Sequence, residues 1–124
     1  MYNLLAVFLG GGIGAVSRYI ISSNCVKYLQ VNLPISTFLV NILGSFIIGF
    51  FYIFFMNKFS LSTEWKMFIT VGFCGGLTTF STFSLELFEM LGNHQVLHAL
   101  AYVMLSVTVC VLMTAIGAYC AKFI

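Results

Sequence analysis

The chain has 124 residues, 61% of them hydrophobic and 6% charged, with a formal net charge of +2 and a mean hydropathy of +1.10. A soluble domain carries about a quarter charged residues, so this composition excludes one and indicates an integral membrane protein. There is no basic cluster to meet nucleic acid or an acidic partner, and Met1 to Ala6 holds no Lys or Arg, so the first apolar run reads as a span rather than a cleaved leader.

Four stretches reach the roughly 20 apolar residues that a membrane helix needs: residues 3–27, 33–57, 63–91 and 96–123. The breaks between them, Gln30 to Pro34, Asn57 to Thr63 and Gly92 to Gln95, are short and polar. The expectation is an all-α membrane protein with one four-helix transmembrane domain over 1–124 and no soluble domain. Cys25, Cys74, Cys110 and Cys120 form no CxxC pair and read as small apolar fillers.

In the first span Gly10 and Gly14 form a GxxxG pair beside Gly11, Gly12 and Ala15, a small-residue face on which membrane helices pack closely. Arg18 follows one turn later. A charge so deep is tolerated when it pairs, snorkels or faces water, and both snorkelling and an anion-attracting vestibule fit it.

Pro34 opens the second span where its missing N–H costs nothing. Thr37, Asn41 and Ser45 then recur every four residues and form a polar seam. Such a seam serves either as interhelical glue or as a line of donors, and for Asn41, whose amide carries two N–H groups, both readings stand.

The third span contains GFCGGLTTFSTFSLE at residues 72–86, the stretch least like its surroundings. Gly75 and Gly76 weaken a helix at mid-membrane, and the Thr and Ser residues after them compete for backbone groups. The pattern predicts a third helix broken near 75–79, with a kink as the milder alternative. Backbone opened at that depth must be buried in protein or line a polar cavity, and freed carbonyls there can hold a cation. Phe80 and Phe83 share a face. Glu86 is a buried acid in need of a partner, and Arg18 is the only comparably placed base.

In the fourth span Tyr102, Ser106, Cys110 and Thr114 step by four as a second polar seam. His94 and His98 have HxxxH spacing but no third ligand, too few for zinc. With four spans, Lys58, Lys66 and Lys122 fall on one side and Lys27, with Arg18, on the other. That bias is weak for the positive-inside rule. A chain with little orientation preference can insert both ways, and four helices make a poor pore alone, so an antiparallel dual-topology homodimer is expected, burying the GxxxG faces and broken helices against each other.

Three segments, GGGIGAVSRY (10–19), STFLVNILGSFIIG (36–49) and GFCGGLTTFSTFSLE (72–86), resemble the Fluc (CrcB) fluoride-channel family. The string TTFSTFS with the upstream Val40–Asn41 pair is the specific part, and the fourth span matches mainly through Tyr102 and its seam. The resemblance implies a dual-topology antiparallel dimer with two fluoride pathways, in the plasma membrane, and a central structural Na+ held by the backbone carbonyls of Gly75 and Thr78 from both chains. It places Phe80 and Phe83 as pore phenylalanines, Asn41 as the pore asparagine, Ser81, Thr82 and Ser84 as a hydroxyl track, and Arg18 as the first-span arginine. It implies a channel that exports fluoride and relieves its toxicity, with the lipid bilayer and a second copy of the chain as partners and no protein substrate.

The residues suit that chemistry. Fluoride is small and strongly hydrated, so a dry path must supply donors, which Asn41, Thr37, Ser81, Thr82, Ser106, Thr114 and Tyr102 offer. The positive edges of the Phe80 and Phe83 rings can also face an anion. The alternative is a proton-coupled small multidrug exporter, also a four-helix dual-topology dimer, but that family carries a first-span Glu and this first span has no acid. A third reading, a structural subunit held by GxxxG contacts, leaves the hydroxyl seams unexplained. An enzyme is not expected, since the chain has no catalytic triad, metal cluster or phosphate loop.

Overall fold

The computed structural model describes residues 1–29, 34–57 and 61–123. The expected breaks at Gln30 to Pro34 and Asn57 to Thr63 fall largely outside the described residues, as does Lys58. Every regular element among the described residues is helical: α1 (Tyr2–Leu29), α2 (Ile35–Asn57), α3 (Thr63–Met67), a π-helical stretch (Phe68–Cys74), α4 (Gly75–Leu77), α5 (Phe80–Gly92) and α6 (Val96–Cys120), the last ending in a 3-10 turn at Ala121–Phe123. Among the described residues four helical spans are long and apolar enough to cross a membrane: Tyr2–Lys27, Ile35–Asn57, Thr63–Gly92 and Val96–Phe123. In hydrocarbon a helix pairs its backbone groups within one segment, which is why apolar runs of this length adopt it.

Small residues decide which spans touch. α1 lies along the π-helical stretch and α4, while α2 lies along α6. A Cβ on Gly72 would stand 2.9 Å from the Gly10 Cα, and one on Gly76 would stand 3.0 Å from the Ala15 nitrogen. Across the other pair, a Cβ on Gly49 would meet the Thr114 Cα at 2.9 Å and one on Gly117 the Phe50 nitrogen at 3.0 Å. Backbones this close gain dispersion contact, which drives helix association where apolar burial does not. The GxxxG face of Gly10 and Gly14 is therefore occupied inside the chain. It is not free to be buried against a second copy, which corrects that part of the dimer expectation.

The third span departs from α geometry in two ways. Phe68–Cys74 is wound as a π-helix, a rare form that often accompanies functional sites. Beyond one α turn, Thr78 (φ −78°, ψ 158°) and Thr79 (φ −152°, ψ 116°) are extended, and α5 begins at Phe80. Gly75 keeps helical dihedrals (φ −64°, ψ −36°), and Gly76 lies within α4. Non-helical backbone thus sits at the threonines rather than at the glycines. Both the N–H and the hydroxyl of Thr78 donate to the Cys74 carbonyl, at 3.0 and 2.8 Å, while the Thr79 N–H is drawn off to α2.

Between α5 and α6 the chain turns in a Schellman arrangement. The Gln95 N–H donates to the Met90 carbonyl at 2.9 Å and the His94 N–H to the Leu91 carbonyl at 3.1 Å, with His94 left-handed at φ 59°.

Candidate functional site

A cavity of about 420 Å³ opens where α2, the third span and α6 come together. α2 contributes Asn41 and Ser45, the third span Cys74, Gly75, Thr78, Thr79, Phe80 and Phe83, and α6 Ser106 and Cys110. The four-residue spacing brings Asn41 and Ser45 of one seam and Ser106 and Cys110 of the other to this space, while Thr37, Tyr102 and Thr114 are not on its wall, nor are Ser81, Thr82 and Ser84 of the third span. Cys74 is buried and Cys110 half-buried on its wall, both as free thiols. Among the described residues no group of three or more His, Cys, Asp or Glu side chains gathers to hold a metal.

Asn41 grips one peptide residue at both ends. Its Oδ1 accepts from the Thr79 N–H at 2.8 Å, and its Nδ2 donates to the Thr79 carbonyl at 3.2 Å. The amide replaces the helical partners that Thr79 has lost, as unpaired backbone at membrane depth requires. The second N–H of Asn41 has no acceptor among the described residues. The Gly75 carbonyl is affected in turn, because the N–H four residues on, its ordinary helical donor, is the one Asn41 captures.

Hydroxyl type and hydroxyl availability prove to be different things. Thr114 donates to the Cys110 carbonyl at 3.0 Å, Ser84 to the Phe80 carbonyl at 2.9 Å, and Thr37 and Tyr102 both donate to Glu86. A hydroxyl has a single proton, so these four have none left. Ser106 is a different case: its Oγ is buried and makes no well-formed hydrogen bond among the described residues, the side chain is only 7% exposed, and its one side-chain interaction is with the Tyr102 hydroxyl. Its neighbour one turn back, Tyr102, directs its own proton to Glu86. Ser81 and Thr82 gather around the Thr79 hydroxyl.

The charged groups do not meet as the sequence suggested. Glu86 accepts from Thr37 through one oxygen and from Tyr102 through the other, the latter at 2.9 Å. Arg18 donates to the Thr78 carbonyl at 3.4 Å. The expected Arg18–Glu86 pair is therefore corrected: the acid is held by two hydroxyls from α2 and α6, and the base by the backbone where the third span leaves helical geometry. The Thr37–Glu86–Tyr102 cluster was missed from sequence because charge was matched with charge. The seam positions of Thr37 and Tyr102 were the available signal.

Aromatic rings join the two polar centres. Phe80 and Phe83 have centroids 5.6 Å apart with planes at 42°, and Phe83 lies 5.0 Å from Tyr102 at 54°. Phe83 is buried, whereas Phe80 is 78% exposed on the single chain. A row of rings thus leads from the outer surface past the cavity to the Tyr102 hydroxyl.

Comparison with known proteins places this arrangement among relatives. Residues 5–118 match the family model described as CrcB-like protein, Camphor Resistance (CrcB). The chain is 46% identical over 115 residues to a protein of Serratia proteamaculans, covering 93% of this chain and 90% of that one. It is 43% identical over 124 residues to a protein of Methanococcus maripaludis, covering 99% and 98%. With a Pyrococcus horikoshii protein it shares 40% identity over 111 residues, covering 90% and 89%. Each of these relatives is named a fluoride-specific ion channel, FluC.

Proposed function

The chain belongs to the CrcB-like family, and on that premise we propose that it is a passive, fluoride-selective ion channel that lets cytoplasmic fluoride leave the cell and so relieves its toxicity. The channel works as an antiparallel, dual-topology homodimer in the plasma membrane, with two pathways. The observation that carries this reading is the cavity shared by Asn41, Phe80, Phe83 and Ser106, whose wall sets neutral polar side chains beside aromatic rings. Its relatives are named channels, not enzymes.

A bare fluoride ion gives up strong hydration, so the path has to return donors in place of water. Ser106, the remaining Asn41 N–H and the Thr82 hydroxyl beside Thr79 supply them, and the positive ring edges of Phe80 and Phe83 complete the wall. Thr37 and Tyr102 act indirectly, because their hydroxyl protons are held by the two oxygens of the Glu86 carboxyl. Such donors are neutral and individually weak, which permits exit as well as entry.

Two features support the dimer. The cavity is open on the single chain, and Phe80 at its rim is exposed. A second copy placed against this face would close the path and cover the ring. The Gly75 and Thr78 carbonyls fit the structural Na+ of this reading. The Gly75 oxygen has lost its helical donor to Asn41, the Thr78 oxygen lies past the end of α4 and shares only a long contact with Arg18, and neutral carbonyls at unwound backbone suit Na+. Bound between the two chains, the cation would tie them together at their axis.

Fluoride efflux from liposomes tests the route. Phe80→Ile or Phe83→Ile abolishes release while the protein stays dimeric, and a Phe80→Ile variant that released fluoride like the parent would take that ring out of the path.

A further inference from the structure

Thr79 is 7% exposed and sits at the meeting point of the extended backbone and α5. Its hydroxyl accepts from the Thr82 N–H at 3.2 Å, donates to Thr82 Oγ1 at 3.0 Å and lies 3.3 Å from Ser81 Oγ. A hydroxyl has one proton and two lone pairs. Since the proton of Thr79 is spent on Thr82, the contact with Ser81 has one possible direction: Ser81 donates. Thr79 is then saturated, with one bond given and two received.

The consequence runs outward along the chain of hydroxyls. The proton of Ser81 points inward to Thr79, and the proton of Ser84 is held by the Phe80 carbonyl at 2.9 Å. Thr82 Oγ1 receives a proton from Thr79, while its own has no acceptor among the described residues. Bonds arranged head to tail in this way polarise one another and strengthen the last donor. Asn41 keeps the hub from turning, because it holds the Thr79 N–H and carbonyl together.

We infer that Thr79, on the cavity wall, is a positioning residue of the route: it orders the two exposed hydroxyls next to it, which lie off that wall, so that Thr82, and not Ser81, has a proton to offer an anion approaching the cavity. This inference rests on the fluoride-channel reading and deepens it by separating two residues that the motif treats alike. A Thr79 that served only as a helix cap would affect stability and would leave Ser81 and Thr82 equivalent in transport.

The test is fluoride efflux from liposomes containing the full chain, with thermal unfolding recorded on each variant. Thr82→Val lowers efflux by about tenfold or more, the loss of a hydrogen bond to an ion, whereas Ser81→Ala stays within about threefold of the parent. Thr79→Ser keeps the hydroxyl and stays within about threefold as well. In a Thr79→Val background the difference between Thr82→Val and Ser81→Ala closes, because nothing orders the two hydroxyls. Equal losses from Ser81→Ala and Thr82→Val in the otherwise native chain overturn the inference. So does a difference that persists undiminished in the Thr79→Val background, and if Thr79→Val fails to fold, the single variants alone decide. A parent protein that releases no fluoride removes the channel reading itself.

Discussion

At the scale of single residues, Ser106 shows most clearly how stability has been traded. A buried hydroxyl without a well-formed hydrogen bond costs about 1–3 kcal/mol, and the Ser106 Oγ, beside the Tyr102 hydroxyl, makes none among the described residues. Ser106→Ala is therefore expected to leave the unfolding temperature unchanged or raise it, while fluoride efflux falls; an alanine variant that is both less stable and fully conducting would show that the hydroxyl serves the fold instead. The residue types of the site were legible in the sequence, where the four-residue spacing of Thr37, Asn41 and Ser45, and of Tyr102, Ser106, Cys110 and Thr114, marks two polar seams. Where each proton points was not legible, because that depends on side-chain torsions and on the nearest carbonyl. Thr114 and Ser84 turn back onto their own helices, and Thr37 and Tyr102 are claimed by Glu86 from another segment. Matching Arg18 with Glu86 failed for the same reason. A half-buried ionisable group needs hydrogen bonds, and two hydroxyls for Glu86 and a carbonyl for Arg18 supply them without an opposite charge.

At the scale of elements, glycine contacts and caps set the geometry. The sequence marks Gly10 and Gly14 as a close-packing face, but pattern alone does not say which helix takes it, and α1 spends it on Gly72 and Gly76 in its own chain. The sequence places the departure from helical geometry near 75–79, on the weak helix propensity of Gly75 and Gly76 and the competing hydroxyls after them, and the extended Thr78 and Thr79 lie within that range. Those glycines stay helical, and the helix stops where Asn41 outcompetes the next turn for the Thr79 N–H. The turn between α5 and α6 offers a separate check. His94 is left-handed at φ 59°, a conformation that strains an L side chain by about 1 kcal/mol and costs glycine nothing. His94→Gly should raise thermal stability by about that amount without changing fluoride efflux. A destabilised His94→Gly variant would mean that the imidazole makes a contact outweighing the strain.

At the scale of the whole molecule, the composition was sufficient to indicate four apolar helices and a membrane, and the segment around TTFSTFS was sufficient to indicate the family. The proposed pairing of two copies can be tested at Gly75. Within the chain a Cβ at Gly75 meets nothing within 4 Å and the backbone is helical, so Gly75→Ala ought to gain about 1 kcal/mol of helix propensity. If two copies meet at this point, the same methyl group falls in the contact. The expected outcome is a chain that folds normally but dissociates more readily in a subunit-exchange measurement. Gly92→Ala, also open in the chain, serves as the control. Gly75→Ala that associates like the parent would move the dimer axis away from Gly75 and Thr78.

The measurement that bears most directly on the account is release of fluoride against release of chloride from liposomes holding the purified protein, with no proton gradient. The account predicts that fluoride leaves and chloride stays. Equal release of both ions, no release of either, or uptake of organic cations driven by protons would contradict it.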